Sequence, residues 1–176
     1  MLFVKSKRFV GKHAKYIKFL NAYTRVLDKE ENTSETFAYA VDVYLIAPLI
    51  GVAYNRRSPI DNENDELSIN AEQIIPRQNM FENVYRLVML TEKSTNLSSD
   101  ERIERAFRDD EDVEKLSANM DLFHQYVHGG IEWLFENISN GASTQNDYLE
   151  KIKEIVKLFS DDFEINTANN DFKNIQ

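Results

Sequence analysis

Apolar residues recur at intervals of three and four along most of this 176-residue chain. That spacing places them along one side of an α-helix, whose period is 3.6 residues. Only five glycines and three prolines interrupt the pattern, and no segment has the composition typical of a linker. The sequence therefore predicts an all-α fold, in which residues 1–176 form a single domain of about six helices packed as an irregular bundle.

The apolar stripes locate the helices. We predict them at about 12–27, 33–52, 76–90, 100–108, 113–138 and 147–159. The second helix and the segment 123–138 are apolar on most sides, so we expect them to form the core. A polar stretch at 55–66, with an acidic run at 61–66, is predicted to be a surface loop.

Two pairs of polar residues favour helix starts at their positions. Asn32 with Glu35, and Ser98 with Glu101, have the spacing of a capping arrangement, in which each residue satisfies a backbone amide of the other. At the other end of the chain, the Asn-rich tail at 165–176 is predicted to fray.

Charge is divided unevenly along the chain. Residues 1–27 contain seven basic and no acidic residues, whereas the rest contains 14 basic and 30 acidic residues. We expect residues 1–11 to be a basic, extended N-terminal segment. A basic segment on an acidic body is typical of a contact with nucleic acid or an acidic partner. An equally good explanation is that it docks on the acidic part of its own chain or of a second copy.

Two arginines extend the basic set. Arg56 and Arg57 follow the second helix, and their guanidinium groups can bind a phosphate or a carboxylate at two points. Pairing with the acidic run at 61–66 is the simpler explanation, and we favour it; together with the N-terminal lysines, Tyr16 and Tyr23, they would instead complete a phosphate-binding surface. The predicted nucleic-acid or partner-binding residues are Lys5, Lys7, Arg8, Lys12, Lys15, Lys18, Arg56 and Arg57. No helix-turn-helix or zinc-finger spacing accompanies them, so backbone contacts are expected.

The predicted fifth helix carries His124, His128 and Glu132 at intervals of four, a spacing that metal sites use. No second ligand motif completes a coordination sphere, so we predict no metal, with the histidines either packed at a helix interface or exposed. Gly129 and Gly130 lie inside this triplet, and each glycine costs up to ~1 kcal/mol in a helix interior relative to alanine. Close approach of a neighbouring helix, a break between two helices, or a backbone surface for a ligand would explain them.

Several protein classes lack support in the sequence. There is no Gly-x-Ser-x-Gly elbow, phosphate-binding glycine loop or dinucleotide fingerprint, so we predict neither enzymatic activity nor a cofactor. The absence of cysteine excludes disulfides and thiol chemistry and fits a cytoplasmic location. The first charges follow a short apolar run, the reverse of a secretory signal, and no run approaches ~18 apolar residues, so no membrane association is expected.

Two segments carry a family resemblance. Residues 47–59, APLIGVAYNRRSP, form an apolar helix with a glycine, followed by two basic residues and a proline; residues 123–134, FHQYVHGGIEWL, place an aromatic residue before a glycine-containing apolar helix. Both resemble segments of small helical accessory proteins from bacterial DNA-phosphorothioation (Dnd) and related phage-defence operons. The resemblance implies a non-enzymatic protein working beside DNA-modifying or DNA-sensing machinery, with no catalytic residues to transfer.

Two functional hypotheses follow. The first is an accessory protein of a bacterial DNA modification or defence system, which contacts nucleic acid or a larger protein subunit of that system through its basic N-terminal face. The alternative is an oligomeric structural or scaffold protein, whose basic segment docks on an acidic protein surface.

Overall fold

The computed structural model describes residues 2–27, 37 and 39–169. In chain order the elements are β1 Lys7–Val10, α1 Gly11–Leu27, α2 Ala40–Ala53, β2 Glu66–Ile69, α3 Ala71–Ile74, α4 Gln78–Thr91, α5 Ser99–Phe107, α6 Val113–Ser139 and α7 Gln145–Asn169. Six of the described helices have nine residues or more, and the predicted all-α fold is confirmed. None of the described helices combines the length and the apolar character needed to cross a membrane.

A small antiparallel sheet was not predicted from the sequence. β1 pairs with β2, with Phe9 opposite Leu67 and Val10 opposite Glu66. Phe9 and Ile69 are its fully buried side chains. Each strand has only four residues, too few for a period of two to stand out from the helical pattern. The observed loop therefore ends at Asp65, one residue before the predicted end, because Glu66 already belongs to β2.

Helix starts follow the capping chemistry. At α5, the backbone amide of Ser98 donates to Glu101 at 2.8 Å, and the amide of Glu101 donates to the Ser98 hydroxyl at 3.3 Å, which confirms that capping pair. The pair Asn32 and Glu35 lies outside the described residues. The predicted start of the second helix near residue 33 also lies outside the described residues. In the described part, Tyr39 is extended, its amide donates to Asp42 at 2.9 Å, and α2 starts at Ala40.

Residues 1–135 form one compact unit, with α2 at its centre. Helix α2 is buried on most sides and continues through Pro48. The predicted core position is confirmed both for α2 and for residues 123–134 of α6. The fully or almost fully buried side chains of these two helices are Val41, Val43, Tyr44, Ala47, Ile50, Phe123, Tyr126, Val127, Ile131 and Leu134.

Glycines allow the backbones of α2 and α6 to touch. A Cβ atom at Gly130 would lie 1.8 Å from the carbonyl oxygen of Ala47, and one at Gly51 would lie 2.1 Å from that of Tyr126. At Gly129 the clash would be with the carbonyl oxygen of Arg56, at 2.0 Å. The close-approach interpretation is confirmed, and a helix break at Gly129-Gly130 is wrong because α6 is continuous there.

Residues 136–176 form a second compact unit, which begins inside α6. At the start of α7, the backbone amides of Ser143 and Thr144 donate to the Asp147 carboxylate at 2.9 and 2.8 Å, and these bonds lower its pKa to about 2. The predicted final helix is confirmed and continues to Asn169. Residues 170–176 of the predicted tail lie outside the described residues, and a single domain over 1–176 stays a prediction.

Candidate functional site

Part of the predicted basic set lies against the acidic segment 61–66 of the same chain. Three basic side chains bind three of its carboxylates: the pairs are Arg8 with Glu66, Lys15 with Glu63 at 2.8 Å, and Lys18 with Asp65 at 2.7 Å. We call the three basic residues the basic edge. For these three residues, the basic segment therefore docks on the acidic part of its own chain, as one of the two explanations predicted.

The sheet sets this arrangement. Because Val10 lies opposite Glu66, the acidic segment that precedes β2 must run beside the start of α1. Gly11 makes the turn from strand to helix with a φ of +59°, a conformation that favours glycine, and its amide donates to the Asp65 carbonyl at 2.8 Å. The Lys12 amide donates to Asp61 Oδ2 at 2.6 Å, so the Asp61 carboxylate satisfies one of the backbone amides that have no partner within the first turn of α1.

The ion pairs of the basic edge are exposed to solvent. The side chains of Arg8, Lys15 and Lys18 are 61%, 51% and 46% exposed. The contact with Glu63 raises the pKa of Lys15, and the hydrogen bond from Lys18 lowers the pKa of Asp65. Exposed pairs of this kind add little to stability because water and salt screen them. The basic edge is therefore neutralised locally while its side chains stay accessible.

Other predicted residues converge on Glu132 of α6, which we call the Glu132 centre. Lys12 Nζ lies 2.9 Å from Glu132 Oε1, and Arg56 Nη2 lies 3.7 Å from Oε2. His13 Nε2 and the Ser58 hydroxyl also reach Oε1, at 3.0 and 2.5 Å. The Glu132 side chain is only 12% exposed. Burial raises its pKa, but the hydrogen bonds from Ser58, Lys12 and His13 outweigh burial and lower the pKa overall.

The candidate metal triplet is engaged in three separate ways. His124 Nε2 lies 3.1 Å from the Tyr44 hydroxyl, the His128 ring stacks on that of His13 at 4.3 Å, and Glu132 holds the donors just described. Burial is the main cause that lowers the pKa of both His124 and His128 to about 3. Of the two predicted alternatives, exposure or packing at a helix interface, the structure shows packing. Within the described part of the chain, no group of three or more His, Asp or Glu side chains could hold a metal ion.

The remaining predicted residues lie elsewhere. Lys5 and Lys7 line a cavity of about 360 Å³, and since successive strand residues point to opposite faces, Lys7 is directed away from Arg8. The Arg57 guanidinium lies 6.0 Å from the ring centre of Tyr126. The side chains of residues 23–27, including that of the predicted contributor Tyr23, lie outside the described part of the structure. The eight predicted residues thus form several groups, not one continuous patch.

A buried ion pair was missed by reasoning from the sequence. Glu92 is 0% and Arg105 is 5% exposed, with Arg105 Nη1 3.2 Å from Glu92 Oε2. The hydroxyls of Thr95 and Tyr126 donate to the same carboxylate at 2.6 and 3.0 Å. Glu92 follows an apolar stripe and Arg105 lies in a very charged helix, so no periodic pattern in the sequence indicates that the two residues pair. The pair joins the end of α4 to α5 and α6, which indicates a structural role.

The two segments of the family resemblance pack on each other. Gly51 and the 56–58 backbone lie against α6, the Ser58 amide donates to the Gln125 carbonyl at 3.0 Å, and Arg56 reaches Glu132. A protein-family model described as DNA sulphur modification system-associated protein 4 matches residues 21–174. The chain belongs to this family.

Membership of the DNA sulphur modification system-associated protein 4 family confirms the Dnd resemblance, and both segments lie inside the match. An association with a DNA sulphur modification system fits an accessory role. The match begins after Lys18, so only Arg56 and Arg57 of the eight predicted binding residues fall within it. No curated protein and no solved structure matches the chain.

Proposed function

We propose that this member of the DNA sulphur modification system-associated protein 4 family is a non-enzymatic accessory protein that contacts nucleic acid through its basic edge. The observation that carries the proposal is that Arg8, Lys15 and Lys18 form accessible ion pairs with a row of carboxylates. A nucleic-acid backbone presents a similar row of anionic oxygens. The proposal narrows the eight predicted residues to three.

Position supports this choice. Lys15 and Lys18 are three residues apart on α1, so they lie on one face of the helix, and both reach the segment after which β2 begins. Lys12 and Arg56 are less suitable, because they hold the mostly buried Glu132 carboxylate. Drawing them towards a phosphate would leave that carboxylate without its cations, which is costly for a buried group.

The acidic segment acts as a competitor in this proposal. A phosphate backbone must replace Glu63 and Asp65 as the partners of Lys15 and Lys18 before it gains their charges. Since exposed pairs contribute little, the exchange is accessible, but each new phosphate contact is offset by a lost carboxylate contact. We therefore expect weak, sequence-independent binding that falls steeply as salt is added, because phosphate contacts release counterions.

The test is a titration of fluorescent single- and double-stranded DNA and RNA into the protein at two salt concentrations. The variant K15E/K18E should lose the binding. Its matched control is K151E/K153E, which makes the same charge change at two lysines of α7 that are also in exposed ion pairs. The control should keep most of the affinity. No binding by the wild type at low salt, or an equal loss in both variants, would overturn the proposal.

A second candidate function is a scaffold whose basic edge docks on the acidic surface of a protein. The observation that favours it is that the basic edge already binds protein carboxylates in its own chain. A deletion of residues 1–11 would be a poor test, because it removes β1 and the buried Phe9. Sedimentation of the wild type and of K15E/K18E is cleaner: a smaller mass for the variant supports docking between copies, and equal masses argue against it.

A further inference from the structure

A cavity of about 360 Å³ opens beside the N-terminal segment, apart from the ion pairs of the basic edge. Its walls come from the N-terminal segment and from α2, α3 and α6. Its volume lies within the range of roughly 300–1,000 Å³ that is usual for small-ligand sites. All of its walls belong to the unit formed by residues 1–135.

Two lysines line this cavity, and Lys7 is the partly buried one, whereas Lys5 is exposed. Burial lowers the pKa of Lys7 to about 8, against the opposing effect of the Asp121 charge. Its amine lies 5.6 Å from the centre of the Phe9 ring, and among the described residues no carboxylate lies within 4 Å of it. A partly desolvated ammonium group without an ion-pair partner is costly, and a bound anion would offset that cost.

The rest of the lining is apolar or neutral. Leu2, Val4 and Met120 supply apolar surface, and His124 is uncharged because burial lowers its pKa to about 3. The His124 ring nitrogen is already engaged by the Tyr44 hydroxyl at 3.1 Å. The cavity thus presents positive charge from Lys5 and Lys7 and apolar surface from the other walls. This combination fits a ligand with an anionic group and an apolar body.

The backbone of the wall carries a second signal. Phe3 has a φ of +55°, which is uncommon for a residue with a side chain. Its ring is held in place by Phe81 at 5.2 Å and Phe123 at 5.6 Å. Backbone strain that the surrounding packing maintains is concentrated at ligand-binding positions in proteins. The packing of Phe3 keeps the N-terminal segment folded over the cavity.

We propose that this cavity binds a small organic anion, whose anionic group is held by Lys5 and Lys7 and whose apolar body packs against Leu2, Val4 and Met120. Both a phosphate ester and a carboxylate have this chemistry. The site is separate from the nucleic-acid contact proposed for the basic edge, and it does not depend on that function.

The experiment is calorimetric titration of the full chain with three probes: deoxyadenosine monophosphate, octanoate and inorganic phosphate. Binding of the nucleotide alone would assign a phosphate ester, and binding of octanoate alone a carboxylate. Inorganic phosphate should bind at least ten-fold more weakly than the better organic probe, because it lacks an apolar body. Absence of binding by both organic probes at millimolar concentration would overturn the proposal.

The variant K7M removes the charge and keeps an unbranched side chain only one atom shorter, so it should weaken binding of the organic anion about ten-fold or more. K18M makes the same change on the basic edge and should leave this affinity unchanged. K5M, at an exposed position, gives a second variant that is not expected to disturb folding and should weaken binding to a smaller extent. Wild-type affinity in both K7M and K5M would contradict the proposal, whatever the nucleic-acid titration shows.

Discussion

Replacement of Glu92 by Gln tests the energetics of the core. Burial raises the pKa of Glu92, but hydrogen bonds from Ser94, Thr95 and Tyr126 outweigh it, so the pKa falls from its ordinary 4.5 to about 2. Each pKa unit corresponds to about 1.4 kcal/mol, so ionised Glu92 stabilises the fold by about 3 kcal/mol. Gln has the same shape but cannot neutralise the buried Arg105. We therefore expect E92Q to lower the free energy of unfolding by about 3 kcal/mol at pH 7.

The effect of E92Q on the free energy of unfolding should depend on pH in a defined direction. A carboxylate with a lowered pKa in the folded state stabilises the protein fully above its unfolded pKa and loses that contribution as pH falls. The difference between wild type and E92Q should therefore be constant above about pH 5 and should shrink towards zero near pH 2. The other carboxylates titrate in both proteins, so the difference isolates Glu92.

Urea unfolding followed by circular dichroism at pH 7, 5 and 3 measures this difference. The matched control is E104Q in α5, since Glu104 forms an exposed pair with Arg108 and should change the free energy of unfolding by less than about 0.5 kcal/mol. A difference for E92Q below about 1 kcal/mol at pH 7, or one that stays the same at pH 3, would refute the reasoning.

Two other predictions concern α6. G130A should lower the free energy of unfolding by more than about 2 kcal/mol in urea, because the new Cβ would meet a backbone carbonyl of α2 at 1.8 Å; the exposed S117A serves as its control and should be nearly neutral. Buried His124 and His128, with pKa values of about 3, should make stability fall as pH drops below about 6.5, by up to about 1.4 kcal/mol per pH unit for each histidine. A free energy of unfolding that is flat between pH 7 and 5 would contradict this.

Local sequence patterns predicted the helical part of the fold well. The apolar stripe of α6 and the capping pair of Ser98 and Glu101 act within a few residues, so they can be seen without knowledge of the fold. The cost of Gly129 and Gly130 in a helix likewise required a compensating contact, which the Arg56 backbone provides for Gly129 and the α2 backbone for Gly130.

The candidate site was harder to predict because it depends on contacts distant in sequence. Lys15 and Glu63 are 48 residues apart, and only the register of a sheet with four-residue strands brings them together. Lys12 and Glu132 are likewise distant in sequence, because they belong to opposite ends of the first unit. The charge asymmetry indicated that the basic segment needed anionic partners. It could not show that some of these partners are carboxylates of the same chain.

The competition between the acidic segment and nucleic acid can be isolated by a pair of variants. E63Q/D65N neutralises the carboxylates that bind Lys15 and Lys18. E150Q/E154Q makes an equal change in net charge on α7, where each residue also pairs with a lysine, and therefore controls for the charge of the whole protein.

The most direct test of the central claim is the affinity of E63Q/D65N for double-stranded DNA at low salt, measured beside the wild type, K15E/K18E and the E150Q/E154Q control. If the basic edge is the nucleic-acid contact, E63Q/D65N should bind several-fold more tightly than the wild type and the control, and K15E/K18E should bind least. Equal affinities of E63Q/D65N and E150Q/E154Q, or binding that survives in K15E/K18E, would contradict the claim.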